Sequence, residues 1–182
     1  MISLISQVTV KVLNYFFINP QESLYIKELV VKFDLDKRNL VKKLRELETE
    51  GILRSERRGN LKLYSINKRY PLYREYEKII LKTVGVEAKL KKIVRQIQGV
   101  KRIYIYGSYA SRKMGVYSDI DLLVVGEHDI MLLQKELSNL QRELDREINV
   151  INMEEKEFEK RRENRDSFIL DILKKKHIVV TA

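Results

Sequence analysis

Gly107-Ser108-Tyr109-Ala110-Ser111-Arg112, and then Ser118-Asp119-Ile120-Asp121-Leu122-Leu123-Val124-Val125, decide how this chain is read. A glycine-serine turn closes one apolar run, and two aspartates separated by one residue open the next. Side chains two apart on a strand share a face, so Asp119 and Asp121 point at one spot, with the backbone N–H groups of the turn close by. Two like charges on one apolar-flanked face repel unless a cation lies between them. Paired carboxylates suit Mg²⁺, and exposed turn amides suit phosphate. Metal and phosphate together suggest a nucleoside triphosphate.

Working outward, residues 102–106 (Arg-Ile-Tyr-Ile-Tyr) read as the strand before the turn and residues 119–125 as the strand after it. Residues 129–146 carry Ile130, Leu133, Leu137, Leu140 and Leu144 at helical spacing. Residues 147–152 read as a third strand, and helices follow over 154–163 and 166–176, with a short edge strand over 177–180. A further helix over 86–98 precedes the first strand. The pattern predicts a small mixed sheet covered by helices. Tyr104, Tyr106 and Tyr109 either stack on a base or simply reflect the preference of aromatic residues for strands.

Over residues 86–182 the chain resembles the DNA polymerase β-like nucleotidyltransferases, and within them the minimal nucleotidyltransferase group. Their signature runs Gly-Ser, a spacer, then Asp-x-Asp, here Gly107-Ser108 and Asp119-Ile120-Asp121. The resemblance implies that Asp119 and Asp121 are catalytic metal ligands for Mg²⁺. It implies that Gly107 and Ser108 hold the β/γ-phosphates of a nucleoside triphosphate, joined by Arg112. Two metals about 3.5–4 Å apart clamp the attacking and leaving oxygens in such chemistry. Two departures stand out. Family members often read Gly-Ser-x-Ala-Arg-Gly, whereas Ser111 and Arg112 take the fifth and sixth places here. The third carboxylate of the family falls at Asn149, which cannot take a proton as a general base. Glu147, two residues earlier on the same strand face, is the candidate catalytic replacement.

The first seventy residues have a different character. Ile5, Val8, Val12 and Phe16 predict a helix over 3–18, stopped by Asn19-Pro20. A second helix follows a Ser23 cap, and a third spans 37–50 from an Asp36 cap to a Gly51 stop, burying Leu40, Leu44 and Leu47. Two alternating runs joined by Arg58-Gly59-Asn60 read as a hairpin. Three helices and a hairpin are the order of a winged helix-turn-helix, and the segment resembles winged-helix transcription regulators. In that group the third helix enters the major groove of double-stranded DNA and the hairpin touches the backbone. The implied DNA-binding residues are Lys37, Arg38, Asn39 and Lys42 on the helix, with Arg57, Arg58 and Lys62 on the wing. The alternative is a basic, solvated helix face.

The expected architecture is α+β, with a winged-helix domain over 1–70, a connecting helix in 71–85 and a nucleotidyltransferase-fold domain over 86–182. The formal net charge of +10 is denser at the front: residues 1–70 carry +6 and the remaining 112 carry +4, as a polyanion-binding module would. With no cysteine, disulfides and thiolate metal sites are excluded, and a cytoplasmic location without membrane association is expected. The partners implied are DNA, a nucleoside triphosphate, a protein acceptor or toxin partner, and a second copy of the chain as a homodimer. Three functional readings follow: a DNA-binding nucleotidyltransferase, a transcriptional regulator whose degenerate nucleotide site serves sensing or dimerisation, and a nucleic-acid-modifying transferase.

Overall fold

The computed structural model describes residues 6–115 and 117–181 of the chain, which divides into two compact units between Gly85 and Val86. In the first unit, α1 (Gln7–Ile18) starts at Ser6, whose hydroxyl accepts the Thr9 N–H. Residues 3–5 of the helix expected there lie outside the described residues. The chain then extends through β1 (Leu24–Tyr25), paired with the hairpin, before α2 (Ile26–Phe33) begins. This strand replaces the expected Ser23 cap. Pairing of Leu24 with Tyr64 and Tyr25 with Leu63 holds the backbone extended to Tyr25, and the Glu28 carboxylate accepts the Tyr25 N–H at 3.0 Å.

Helix α3 (Lys37–Thr49) begins at Asp36, which accepts the Asn39 N–H at 2.8 Å, and ends before Gly51 at φ 82°. Leu40, Leu44 and Leu47 recur every three or four residues and are buried, each contributing roughly 1.5–3 kcal/mol. The hairpin is β2 (Leu53–Arg58) and β3 (Leu61–Ile66), giving the antiparallel order β1-β3-β2.

Helix α4 (Tyr73–Thr83), expected as a connector, belongs to the core of this unit. Ile80 is fully buried there, and Tyr73 meets Phe17 edge-on with ring centroids 5.4 Å apart. The apolar stripe of α4 is spent on α1, so the helix joins the unit instead of bridging out of it.

The second unit opens with α5 (Val86–Gln96) and then β4 (Val100–Tyr106), the short helix α6 (Gly107–Ser111), β5 (Ile120–Gly126) and α7 (Ile130–Leu144). It continues with β6 (Ile148–Met153), α8 (Glu155–Glu163), α9 (Ser167–Lys174) and β7 (Ile178–Thr181). The sheet order is β6-β5-β4-β7; β5 and β6 are parallel, joined through α7, and the other pairs are antiparallel. Helices α5 and α7 lie against β4, β6 and β7. Leu123, Val125 and Met153 join Tyr104, Phe158, Ile169 and Ile172 in a cluster built with α8 and α9. By strand alternation Asp121 and Asn149 belong to this second face, at the end where cover gives out: Asp121 is half-buried and Asn149 exposed. No helix among the described residues is long and apolar enough to cross a membrane.

Candidate functional site

Strand register assembles the site. Tyr106 on β4 pairs with Asp121 on β5, and Asp121 pairs with Asn149 on β6, so three polar side chains stand in one row across the sheet. Asp119, one step before β5, joins them. The Asn149 amide Nδ2 lies 3.2 Å from Asp119 Oδ2 and 3.5 Å from Asp121 Oδ1. The two aspartates therefore converge on one point, as period-two alternation requires.

The turn is held against this pair. Gly107 adopts φ 68°, and a β-carbon there would stand 2.2 Å from Asp121 Oδ2. Any other residue there would carry a strained backbone angle and have to move the carboxylate. The Ser108 hydroxyl lies 3.3 Å from the Asp119 carbonyl oxygen and 3.2 Å from Met114 Sδ, so it ties the turn to the start of β5. Arg112 closes α6 in the left-handed region at φ 57° and is exposed. The structure thus brings Gly107, Ser108, Asp119 and Asp121 together, with Arg112 at the end of the same short helix.

Glu147, the candidate replacement for the third acid, lies outside the Asp121–Asn149 row. It is exposed and precedes β6, where its carbonyl accepts the Ile120 N–H at 2.9 Å. Among the described residues no three His, Cys, Asp or Glu side chains gather to hold a metal ion. By register Asn149 is the β6 residue opposite Asp121, and Glu147, one step before the Ile120–Ile148 pair, is level with Asp119. A carboxylate pair plus an amide still fits a divalent cation, because a flipped Asn149 amide offers its oxygen where its nitrogen now sits.

One neighbour escapes a reading of sequence alone, and a second, Tyr106, takes a place at the site that its sequence does not specify. Arg146 is buried and donates to the Ser118 carbonyl at 3.2 Å, fixing the segment that delivers Asp119. Its only signal was a charge next to a strand start. Tyr106 faces Asp121, and burial first, then the Asp121 charge, push its phenol pKa up. Tyr104 and Tyr109 are buried, Tyr104 stacked on Phe158 at 5.4 Å, so they serve the interior and not a base.

In the first unit Lys37, Arg38, Asn39 and Lys42 all lie exposed on the first half of α3, and Arg57 and Arg58 are exposed near the hairpin tip. Arg58 Nε pairs with Glu56 at 2.5 Å. Lys62, less exposed than the others, is also ion-paired. Its ammonium is 2.7 Å from Glu48 Oε2 and sits over the Tyr64 ring at 5.1 Å, binding the hairpin to the end of α3.

A family model matches the second unit: the Nucleotidyltransferase domain family covers residues 87–179, just over half of the chain, and the chain belongs to that family. Solved structures with partial similarity include a toxin-antitoxin with AMP-PNP, 28% identical over 36% of this chain and 56% of that one, TM-score 0.32. A possible transcriptional regulator from Methanosarcina mazei is 14% identical over 50% of this chain and 78% of its own, TM-score 0.36. ZitR from Lactococcus lactis is 16% identical over 48% and 61%, TM-score 0.36. The chain thus spans little more than half the length of the first of these. No curated protein matches the chain.

Proposed function

We propose that the second unit binds a nucleoside triphosphate with Mg²⁺ and transfers its nucleotidyl group to an acceptor hydroxyl, while the first unit, read as a winged helix-turn-helix, binds double-stranded DNA. The observation that carries the nucleotide reading is the convergence of Asp119 and Asp121 beneath a glycine turn with no room for a side chain. Asp119 and Asp121 would hold the ion, with Asn149 as a neutral third ligand. Bound Mg²⁺ would neutralise triphosphate charge as pyrophosphate departs. Gly107 leaves the approach to Asp121 open, and Ser108 holds the turn in place for phosphate. Arg112 supplies a positive charge at the end of α6. In the transfer an acceptor oxygen bonds to the α-phosphorus, the α–β anhydride bond breaks to release pyrophosphate, and the acceptor hydroxyl proton passes to solvent water. Asn149 cannot receive that proton.

The basic first half of α3 supports the DNA reading, with Arg and Asn suited to base edges and Lys to phosphate. The acceptor in this reading is a partner protein, and the setting is the cytoplasm. A homodimer would match paired DNA half-sites.

A second reading is favoured by Asn149 itself. An amide that bonds both aspartates makes a site suited to holding a nucleotide without turning it over, as a sensor attached to a regulator. The test is label transfer from α-³²P-labelled nucleoside triphosphates with Mg²⁺, alongside nucleotide binding. Transfer lost in Asp119→Ala and Asp121→Ala supports the enzyme. Binding without transfer supports the sensor, and neither binding nor transfer overturns both.

A further inference from the structure

On the first unit, a cleft of about 310 Å³ opens between the turn that follows α1 and the base of the hairpin, at the lower end of the roughly 300–1,000 Å³ typical of small-ligand sites. Ser23, Arg54, Ser65, Asn67, Lys68 and Arg69 line it, and no carboxylate does among the described residues. Its frame is fixed. Arg54 Nε donates to Ser65 Oγ at 3.1 Å across the β2–β3 ladder. Asn67 donates to the Gly51 carbonyl at 2.8 Å and accepts the Arg69 N–H at 3.1 Å, setting the turn that carries Lys68 and Arg69. Partial loss of water, and then the Arg54 charge, lower the Lys68 pKa. Three cations thus face one cleft with hydroxyl and amide donors between them and no lining acid to balance them.

We propose that this cleft is a binding site for a phosphate-class anion, with Arg54, Lys68 and Arg69 supplying charge and Ser23 and Ser65 supplying hydroxyl donors. Arg54 lies five residues before Gly59 at the hairpin tip, about 17 Å along the strand at roughly 3.3–3.4 Å per residue. An anion seated here is therefore remote from one gripped by the tip, which favours a free phosphate or phosphomonoester over a phosphate of the DNA backbone. The site is separate from the Asp119–Asp121 pair and needs no divalent ion.

The test is titration of the full-length chain with inorganic phosphate, free of divalent metal and at constant ionic strength, followed by calorimetry and ³¹P line broadening. Saturable binding is expected. It should weaken about tenfold or more in Arg54→Gln and in Lys68→Gln, as the loss of a charge-assisted hydrogen bond implies. It should survive in Lys68→Arg and in Asp119→Ala. If phosphate does not saturate, but Arg54→Gln and Lys68→Gln each lower the salt slope of duplex-DNA binding by about one, the backbone is the source of the same anion and the cleft assignment stands. Absence of both effects in correctly folded wild type and Lys68→Arg overturns it.

Discussion

A β-carbon on Gly107 would stand 2.2 Å from Oδ2 of Asp121, and the Gly107 backbone is already in the left-handed region at φ 68°. Gly107→Ala must therefore push the carboxylate aside or distort the turn. The backbone angle alone costs a non-glycine residue about 1–2 kcal/mol, which most domains survive. A folded Gly107→Ala chain is expected to lose nucleotide binding through displacement of Asp121. Thermal-shift titration with ATP and Mg²⁺ checks this; wild-type binding by the variant would show that the contact does not govern the site.

Asn149→Asp restores a third acid beside Asp119 and Asp121, whose oxygens lie 3.2 and 3.5 Å from the present amide nitrogen. Without metal, three like charges should repel, lowering the melting temperature in chelator. With Mn²⁺ the variant should gain more stability than wild type. A positioned base typically contributes about 10²–10⁴-fold, so label transfer should rise by about that range if its lack limits the wild type. An unchanged rate with restored metal binding would place the limit elsewhere.

Much of this was legible in the chain because the pattern was periodic. Leu40, Leu44 and Leu47 at helical spacing marked α3, and the Asp119–Asp121 pair at strand spacing marked the site. What escaped depended on pairing. The two-residue β1 has no period to detect, and only its ladder with β3 reveals why α2 starts at Ile26 and not beside Ser23. The family resemblance puts Asn149 at the third-acid position, but that it stands directly opposite Asp121 depends on the β5–β6 register, which local sequence does not contain. The role of α4 was hidden similarly: its apolar stripe shows that it packs, but not on what.

On α3 the exposed Arg38 and Lys42, and on the hairpin Arg57, form the group expected to meet DNA phosphates or bases. Each phosphate contact removed should lower the slope of log K against log salt by about one. Arg38→Ala, Lys42→Ala and Arg57→Ala are therefore expected to weaken duplex binding and flatten its salt dependence. Lys62→Met should flatten it little, since Glu48 already holds that ammonium. Equal slopes for all four variants and wild type would remove this face from the DNA contact.

The same Glu48–Lys62 pair makes a pH-dependent bracket between helix and hairpin. The hydrogen bond from Lys62, and then that from Ser55, hold the Glu48 carboxyl below its usual range, against the opposing effect of burial. The bond to Glu48 raises Lys62. A carboxyl depressed on folding contributes stability above its unfolded pKa of about 4.3, and loses it as pH falls through the folded value; a raised amine contributes below about 10.4 and loses it at higher pH. The bracket should therefore act fully from about pH 5 to 10. Both side chains are partly exposed, so Lys62→Met should lower stability at neutral pH by about 0.2–1 kcal/mol. The deficit should shrink at pH low enough to protonate Glu48, and in high salt. Urea unfolding followed by far-ultraviolet circular dichroism measures it, and a deficit as large in strong acid as at neutrality would assign the effect to the packing of the lysine stem over Tyr64 and not to charge.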